Sequence, residues 1–172
     1  MNYIKAITFK KETAIILIQF IALMGIATVA PLFHGQPITG PIVNATLFTG
    51  VMLLGARNAI LIGLIPSLIA LSVGLLPPVL APMIPFIMVS NTLLILVFDY
   101  LQGRNYWLGV IVASGIKFLF LFTTSTVVIN LLLKKEIASK VAMMMSWPQL
   151  YTALLGGIFT YGFLKVLKKK KS

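Results

Sequence analysis

Long apolar segments alternate with short stretches of charge, proline and glycine along this chain. Six such segments cover approximately residues 13–33, 39–56, 59–75, 83–100, 106–133 and 147–167. A helix of about 20 apolar residues is long enough to cross a hydrocarbon layer about 30 Å thick. The pattern therefore predicts an all-α integral membrane protein: a compact bundle of six transmembrane helices that forms a single membrane domain over residues 1–172.

The first apolar segment follows a basic start, which also fits a signal peptide. Its best small-residue cleavage site, Thr28-Val29-Ala30, is followed directly by Pro31, a poor residue to follow a cut. The segment is also long enough to span a bilayer. We therefore expect an uncleaved first span.

The composition supports a membrane protein, because 59% of the residues are hydrophobic, 10% are charged and the mean hydropathy is +1.04. There is no cysteine, so no disulfide and no thiolate metal site is expected. The net charge of +11 would also suit nucleic acid, but the lysines cluster at the two ends of the chain rather than along one face. The expected partner of this charge is the lipid bilayer, and no nucleic acid is expected.

The basic residues also predict an orientation. An even number of spans places both termini on one side of the membrane, and ten basic residues share that side: Lys5, Lys10, Lys11, Arg57, Arg104, Lys165, Lys168, Lys169, Lys170 and Lys171. Only Lys134, Lys135 and Lys140 lie on the other. Because basic loops stay in the cytoplasm, both termini are predicted to be cytoplasmic.

The three loops on the predicted outer side are long and rich in proline. They read FHGQPITGP, GLLPPVLAPMIP and KKEIASKVAMMMSWP, and the first two contain six of the nine prolines. Proline removes a backbone donor, so these loops are not expected to be regular helix throughout. We predict that residues 34–41 dip over a cavity as a lid or re-entrant loop. The alternative is a surface turn that joins two helices.

Small residues recur every four positions in three of the segments, a spacing that lets membrane helices approach closely. These residues are Ala59, Gly63 and Ser67, then Gly109 and Ala113, then Ala153 and Gly157. They favour a compact bundle.

Groups that would support catalysis are sparse. The chain has no GxxxxGK[ST] loop, no HExxH motif and a single histidine. Its three acids, Glu12, Asp99 and Glu136, lie at the ends of the segments. We therefore expect no enzymatic activity, no metal and no cofactor.

Polar residues within or beside the apolar segments are costly in hydrocarbon and mark a candidate solute site. Most lie in the outer half of the predicted bundle, beneath the proline-rich loops. The candidate binding residues are His34, Gln36, Thr39, Asn44, Asn91, Lys117, Asn130, Trp147 and Gln149. For each amide side chain, a purely structural role in joining helices is the alternative.

Lys117 is the most unusual of these residues. It lies 11 residues after Tyr106, about 16 Å along a helix and therefore near mid-membrane. Its amino group could snorkel to the cytoplasmic interface, or contact carbonyls freed around the TTST stretch at 123–126. It could instead line the floor of a pocket and bind an anionic group of the solute, with Asn91 and Asn130 as neighbours.

Three motifs support a family resemblance: PLFHGQPITGPIVNA, IGLIPSLIALSVGLLPPVLAPMIPFIMVSN and MMMSWPQL. With these motifs, nearly the whole chain resembles the substrate-binding S components of energy-coupling-factor (ECF) transporters. It is similar to a branch whose members sometimes carry an iron-hydrogenase label, which the absence of cysteine here contradicts.

The resemblance implies six membrane helices that capture a vitamin-like or cofactor-precursor solute from outside. It also implies association with a transmembrane coupling protein and two ATPase subunits. The coupling contact in this family often uses small residues on the first helix. Here Ala22, Gly25, Ala27 and Ala30 are the candidates, without a strict pair four residues apart.

Two further functions compete with solute capture. The first is a structural or assembly subunit of a larger membrane complex. The second is a small channel, which would need a polar stripe through to the cytoplasmic side. Because the cytoplasmic halves of the predicted spans are nearly all apolar, the sequence favours a pocket that opens on one side only.

Overall fold

The computed structural model describes residues 2–33, 36–72, 78–132 and 142–169. Within these ranges the regular structure is helical and no strand occurs. The long helices are α1 (Asn2–Val29), α2 (Gln36–Leu54), α3 (Ala56–Ser72), α4 (Ile84–Gln102), α5 (Tyr106–Leu132) and α6 (Trp147–Lys169). Two 3-10 segments, Ala30–Phe33 and Pro78–Met83, follow α1 and precede α4. The predicted all-α class is confirmed.

In the part of the chain that the structure describes, five helical segments are long and apolar enough to cross a membrane. They are Lys11–Phe33, Gln36–Leu54, Ala81–Gln102, Tyr106–Val128 and Ala142–Lys169. The apolar part of α3, Ala56–Ile65, is shorter. The helices fit a multi-pass membrane protein, and the sixth span stays a prediction.

The structure corrects the predicted lid. Helix α2 begins at Gln36, so Pro37 and Pro41 lie inside a helix and not in an irregular loop. Pro37 is in the first turn, where its missing N–H would have no helical partner in any case. Pro41 interrupts only the bond that its nitrogen would make to the carbonyl of Pro37. The irregular lid over 34–41 is therefore wrong from Gln36 onward, and His34 and Gly35 lie outside the described residues.

Helix α1 also begins earlier than predicted, at Asn2 rather than near residue 13. The basic residues before the apolar segment, such as Lys10 and Lys11, continue the same helix. This is physically reasonable because a helix need not end where the hydrocarbon ends, and lysine is favourable at the membrane surface.

Helix α2 is at the centre of the bundle. It contacts α1, α3, α4 and α6, while α5 packs against α4 and α6. In the most apolar stretch of α2, 44% of the residues are buried within the chain, against 17% for α1. Helix α1 is thus the peripheral helix, with most of its apolar side chains facing outward.

Small residues lie where helices approach most closely. A Cβ added to Gly50 of α2 would lie 3.3 Å from Cβ of Ala59 on α3. A Cβ on Gly109 of α5 would lie 3.1 Å from Cδ2 of Phe98 and 3.2 Å from the backbone nitrogen of Gln102 on α4. Such contacts replace the hydrophobic effect, which is absent between helices in lipid.

Candidate functional site

Lys117 is buried in the middle of the bundle, with 3% of its surface exposed. Its Nζ donates hydrogen bonds to Oδ1 of Asn44 at 2.7 Å and to Oδ1 of Asn91 at 2.8 Å. The side chain therefore does not snorkel to an interface. The structure brings together three of the predicted site residues, from α5, α2 and α4.

The two asparagines are themselves held by neighbouring helices. Nδ2 of Asn91 donates to the carbonyl of Gly63 on α3 at 3.2 Å. Nδ2 of Asn44 donates to Oγ1 of Thr152 on α6 at 3.5 Å, and the Thr152 hydroxyl donates to the carbonyl of Pro148 at 2.6 Å. We refer to Lys117, Asn44, Asn91 and Thr152 as the Lys117 cluster. Through it, five helices share one hydrogen-bond network.

Glycine makes this network possible by letting α2 and α6 approach each other. A Cβ on Gly156 would lie 2.7 Å from both the backbone nitrogen of Ala45 and Cβ of Asn44. A Cβ on Gly40 would lie 2.7 Å from Cβ of Thr152. Any larger side chain at these positions would separate Asn44 from Thr152.

The cluster is basic and contains no acid. Its acceptors are amide oxygens and a hydroxyl, which are neutral, and no salt bridge to Lys117 occurs in the described ranges. A lysine ammonium has three donors and no acceptor, and two of those donors are used. In its ammonium form, Lys117 thus supplies a positive charge and one donor that has no partner in the described residues. Both features favour an anionic group, and low solvent exposure strengthens the attraction between opposite charges.

A second unused polar group lies one turn away on the same helix. Ser114 is three residues before Lys117, so both project from the same face of α5. The Ser114 hydroxyl is fully buried and has no hydrogen-bond partner among the described residues. A buried hydroxyl without a partner costs about 1–3 kcal/mol, so this position favours an additional polar group.

The other predicted binding residues are not part of the cluster. Gln149 is buried, and its Nε2 donates to the carbonyl of Met144 at 3.0 Å, just before α6. Trp147 is 69% exposed and stacks on Phe118 with ring centroids 5.3 Å apart. The Thr39 hydroxyl donates to the carbonyl of Ala30 at 3.1 Å, which joins the start of α2 to the end of α1.

Three predicted residues remain. Gln36 is half-buried at the start of α2 and makes no hydrogen bond to the cluster in the described part of the chain. His34 and the side chain of Asn130 lie outside the described residues.

Thr152 and Ser114 were not among the residues predicted from the sequence. Threonine and serine are ordinary residues of membrane helices, where their hydroxyls often bond to the preceding turn of the same helix. For Ser114 a signal was present, because it lies three residues from a buried lysine. For Thr152 no local signal existed, since its link to Asn44 spans 108 residues.

The proposed docking residues on the first helix divide into two pairs. Ala22 and Gly25 are exposed on α1, whereas Ala27 and Ala30 are buried within the chain. A partner that binds this structure could therefore reach only the first pair.

Two concavities lie away from the Lys117 cluster. One, of about 620 Å³, lies at the end of the bundle where α2 and α4 finish, and Tyr106 and Lys165 are among its lining residues. The other, of about 530 Å³, is an apolar groove between α3 and α4. Neither is lined by a member of the cluster.

Comparison with protein-family models, with curated proteins and with solved structures gives no match to this chain. The functional proposal therefore rests on the Lys117 cluster and on the motifs of the sequence.

Proposed function

We propose that this protein is the substrate-capture subunit of an ECF-type, ATP-driven importer in a bacterial inner membrane. Its ligand would be a small vitamin-like or cofactor-precursor solute taken from the outer face. The observation that carries the proposal is the Lys117 cluster, a basic and nearly solvent-free site with unused hydrogen-bonding groups. The resemblance of the three sequence motifs to S components supports it independently.

In this proposal an anionic group of the solute, such as a carboxylate, accepts the third N–H of Lys117 and the hydroxyl hydrogen of Ser114. Asn44 and Asn91 hold the amino group of Lys117 in place through the bonds at 2.7 and 2.8 Å. Because water is excluded, one charge-assisted hydrogen bond here is stronger than it would be at a surface. The chain itself would hydrolyse nothing.

The partners in this proposal are a transmembrane coupling protein and two ATPase subunits. The exposed pair Ala22 and Gly25, on the peripheral helix α1, is the candidate contact with the coupling protein. The proposal also requires six spans with both termini in the cytoplasm.

Binding to the purified protein tests the site. Native mass spectrometry should detect a co-purifying small molecule, and Lys117→Met should weaken its binding by a factor of about ten or more, equivalent to about 1.4 kcal/mol. Lys117→Met removes a charge that is expensive in the membrane, but it also removes the donor to Oδ1 of Asn44 and of Asn91. The free energy of unfolding of the variant is therefore measured alongside binding. Full solute uptake by Lys117→Met would reject the anionic ligand.

Ser114→Ala separates ligand binding from folding more cleanly. Removing a buried hydroxyl that has no partner in the described chain should leave the free energy of unfolding unchanged or raise it. If the solute uses that hydroxyl, affinity should nevertheless fall. The matched control is Ala113→Ser, at the neighbouring buried position, which should affect stability without a selective effect on binding. Equal affinity of Ser114→Ala and the parent would remove Ser114 from the site.

Labelling of single cysteines tests the orientation. The chain has no native cysteine, so each introduced thiol is unique. Cysteines at Gly35 or Ser139 should react with an impermeant reagent added outside the cell, and a cysteine at Asn58 should not. External labelling at Asn58 would reverse the orientation and with it the side from which solute enters.

A structural or assembly subunit is the second candidate, and the network itself favours it. The hydrogen bonds of the Lys117 cluster join five helices, which is also what a rigid subunit of a larger complex requires. In that case repeated purification would yield protein partners without a bound solute. Lys117→Met would then reduce recovery of the complex and leave no ligand affinity to measure.

A further inference from the structure

The groove of about 620 Å³ combines an apolar floor with a basic rim. Met52 and Leu53 at the end of α2 and Leu164 of α6 supply apolar surface, while Lys165 and Lys168 of α6 are exposed beside it. No acidic residue lines the groove, and neither lysine forms a salt bridge within the described ranges. The rim therefore carries uncompensated positive charge.

The basic rim is continuous with a polar face of α6. Tyr161, Lys165 and Lys168 are spaced by four and three residues, so they project from one side of the helix. Gln102, at the end of α4, adds an amide group to the same groove. These side chains place several hydrogen-bond donors around one opening.

Aromatic rings mark the depth of the groove in the membrane. Tyr106, Trp107 and Tyr161 form a ring cluster with centroid distances of 5.0–5.5 Å. Such residues concentrate at the level of lipid headgroups. Lys168 lies seven residues beyond Tyr161, about 10 Å further along α6 and toward the aqueous side. Aromatic rings followed by lysines along a helix are typical of a helix end at the membrane surface.

We infer that this groove is a binding site for an anionic glycerophospholipid. The phosphate lies between Lys165 and Lys168, Gln102 and the Tyr161 hydroxyl donate to headgroup oxygens, and the acyl chains follow Met52 and Leu164. A lipid suits the groove better than a protein segment, because two lysines without an acidic neighbour in the lining stand beside apolar residues, which matches a charged headgroup joined to acyl chains. This inference does not depend on the proposed transport function.

Titration of the full-length protein with phosphatidylglycerol, monitored by native mass spectrometry, tests the site. The parent should retain phosphatidylglycerol in preference to phosphatidylcholine. Lys168→Gln should weaken retention about fivefold, since a basic residue near an anionic headgroup contributes about 1 kcal/mol. The matched control is Lys169→Gln, which removes the same charge from the same helical turn at a residue that does not line the groove.

The contrast between these two variants decides the outcome. Weaker retention in Lys168→Gln but not in Lys169→Gln supports the site, as does a further loss in the double variant Lys165→Gln/Lys168→Gln. Equal effects of Lys168→Gln and Lys169→Gln would mean that only total charge matters, and would overturn the inference. So would equal retention of phosphatidylglycerol and phosphatidylcholine by the parent protein.

Discussion

The interior of the bundle is polar around Lys117 and aromatic only a few residues further along the same helices. On α2, Asn44 is followed four residues later by Phe48, and on α4, Asn91 is followed seven residues later by Phe98. Phe48 and Phe98 are fully buried with ring centroids 4.6 Å apart, and Phe98 meets Tyr106 edge-on at 5.5 Å. The same faces of α2 and α4 thus serve two different kinds of packing.

The two regions differ in what each side chain requires. In the aromatic region a residue needs a neighbour of suitable shape, and several apolar residues could supply it. In the Lys117 cluster each donor needs a particular acceptor, because an unpaired polar group in the membrane is costly. Among the described residues, Phe48 and Phe98 of the aromatic region are fully buried, whereas the polar region still has the Ser114 hydroxyl and one donor of the Lys117 ammonium without a partner. We therefore expect substitutions in the polar region, and not those in the aromatic region, to change the affinity for a solute.

Asn91→Leu should have the largest effect on stability. It deprives Lys117 of one of its two acceptors and leaves a buried charge poorly compensated, which we expect to lower the free energy of unfolding by about 3 kcal/mol. Titration with a denaturing detergent measures this change. Thr92→Val is the matched control, because the Thr92 hydroxyl bonds only to the carbonyl of Met88 in its own helix.

Adding Lys117→Met to Asn91→Leu tests the cause. If the loss comes from an uncompensated lysine, the double variant should recover much of the stability, and the two changes should be strongly non-additive. Additive effects would show that Asn91 stabilises the fold through its bond to the Gly63 carbonyl instead. The contribution of Asn91 to stability would then be independent of Lys117.

Gly156→Ala should have the next largest effect. The added Cβ would lie 2.7 Å from the Ala45 nitrogen and from Cβ of Asn44, so α2 and α6 must move apart. We expect a loss of about 2 kcal/mol, measured in the same titration, together with weaker solute binding because Asn44 is displaced. Gly162→Ala on the same helix is the control, since nothing lies within 4 Å of its added Cβ. Equal stability of the two variants would contradict the close contact.

Local signals in the sequence were enough to predict the helices and to single out Lys117 as an unusual residue. The apolar segments agree with α2 to α6 to within a few residues at most ends, because length and hydropathy directly reflect the bilayer. Lys117 was identifiable because a lysine is costly at mid-membrane. Proline was misleading at the start of α2, since Pro37 is tolerated in a first helical turn.

The hydrogen-bond partners of Lys117 were harder to predict from the sequence. Asn44 and Asn91 were candidates, but their joint contact with Lys117 depends on how α2, α4 and α5 are rotated against one another. That rotation is set by close contacts between helices, such as the one between Gly156 of α6 and Asn44 of α2. The periodicity of a single helix does not reveal such contacts. Trp147 shows the opposite case. An aromatic residue beside a polar segment can line a pocket or face outward, and in the structure Trp147 lies on the outer surface.

Tyr106→Phe should have the smallest effect and bears directly on the difference between the two regions. The Tyr106 hydroxyl donates to the carbonyl of Gly157 at 2.7 Å, so this is a polar contact at the edge of the aromatic region. Loss of that bond should cost about 1 kcal/mol, because the ring packing against Phe98 remains. Tyr151→Phe, at an exposed position on α6, should change the free energy of unfolding by less than about 0.5 kcal/mol. Solute affinity should be unchanged in both variants. If Tyr106→Phe instead weakened solute binding as strongly as Lys117→Met does, the ligand-sensitive region would extend into the aromatic part of the bundle, and the division between the two regions would fail.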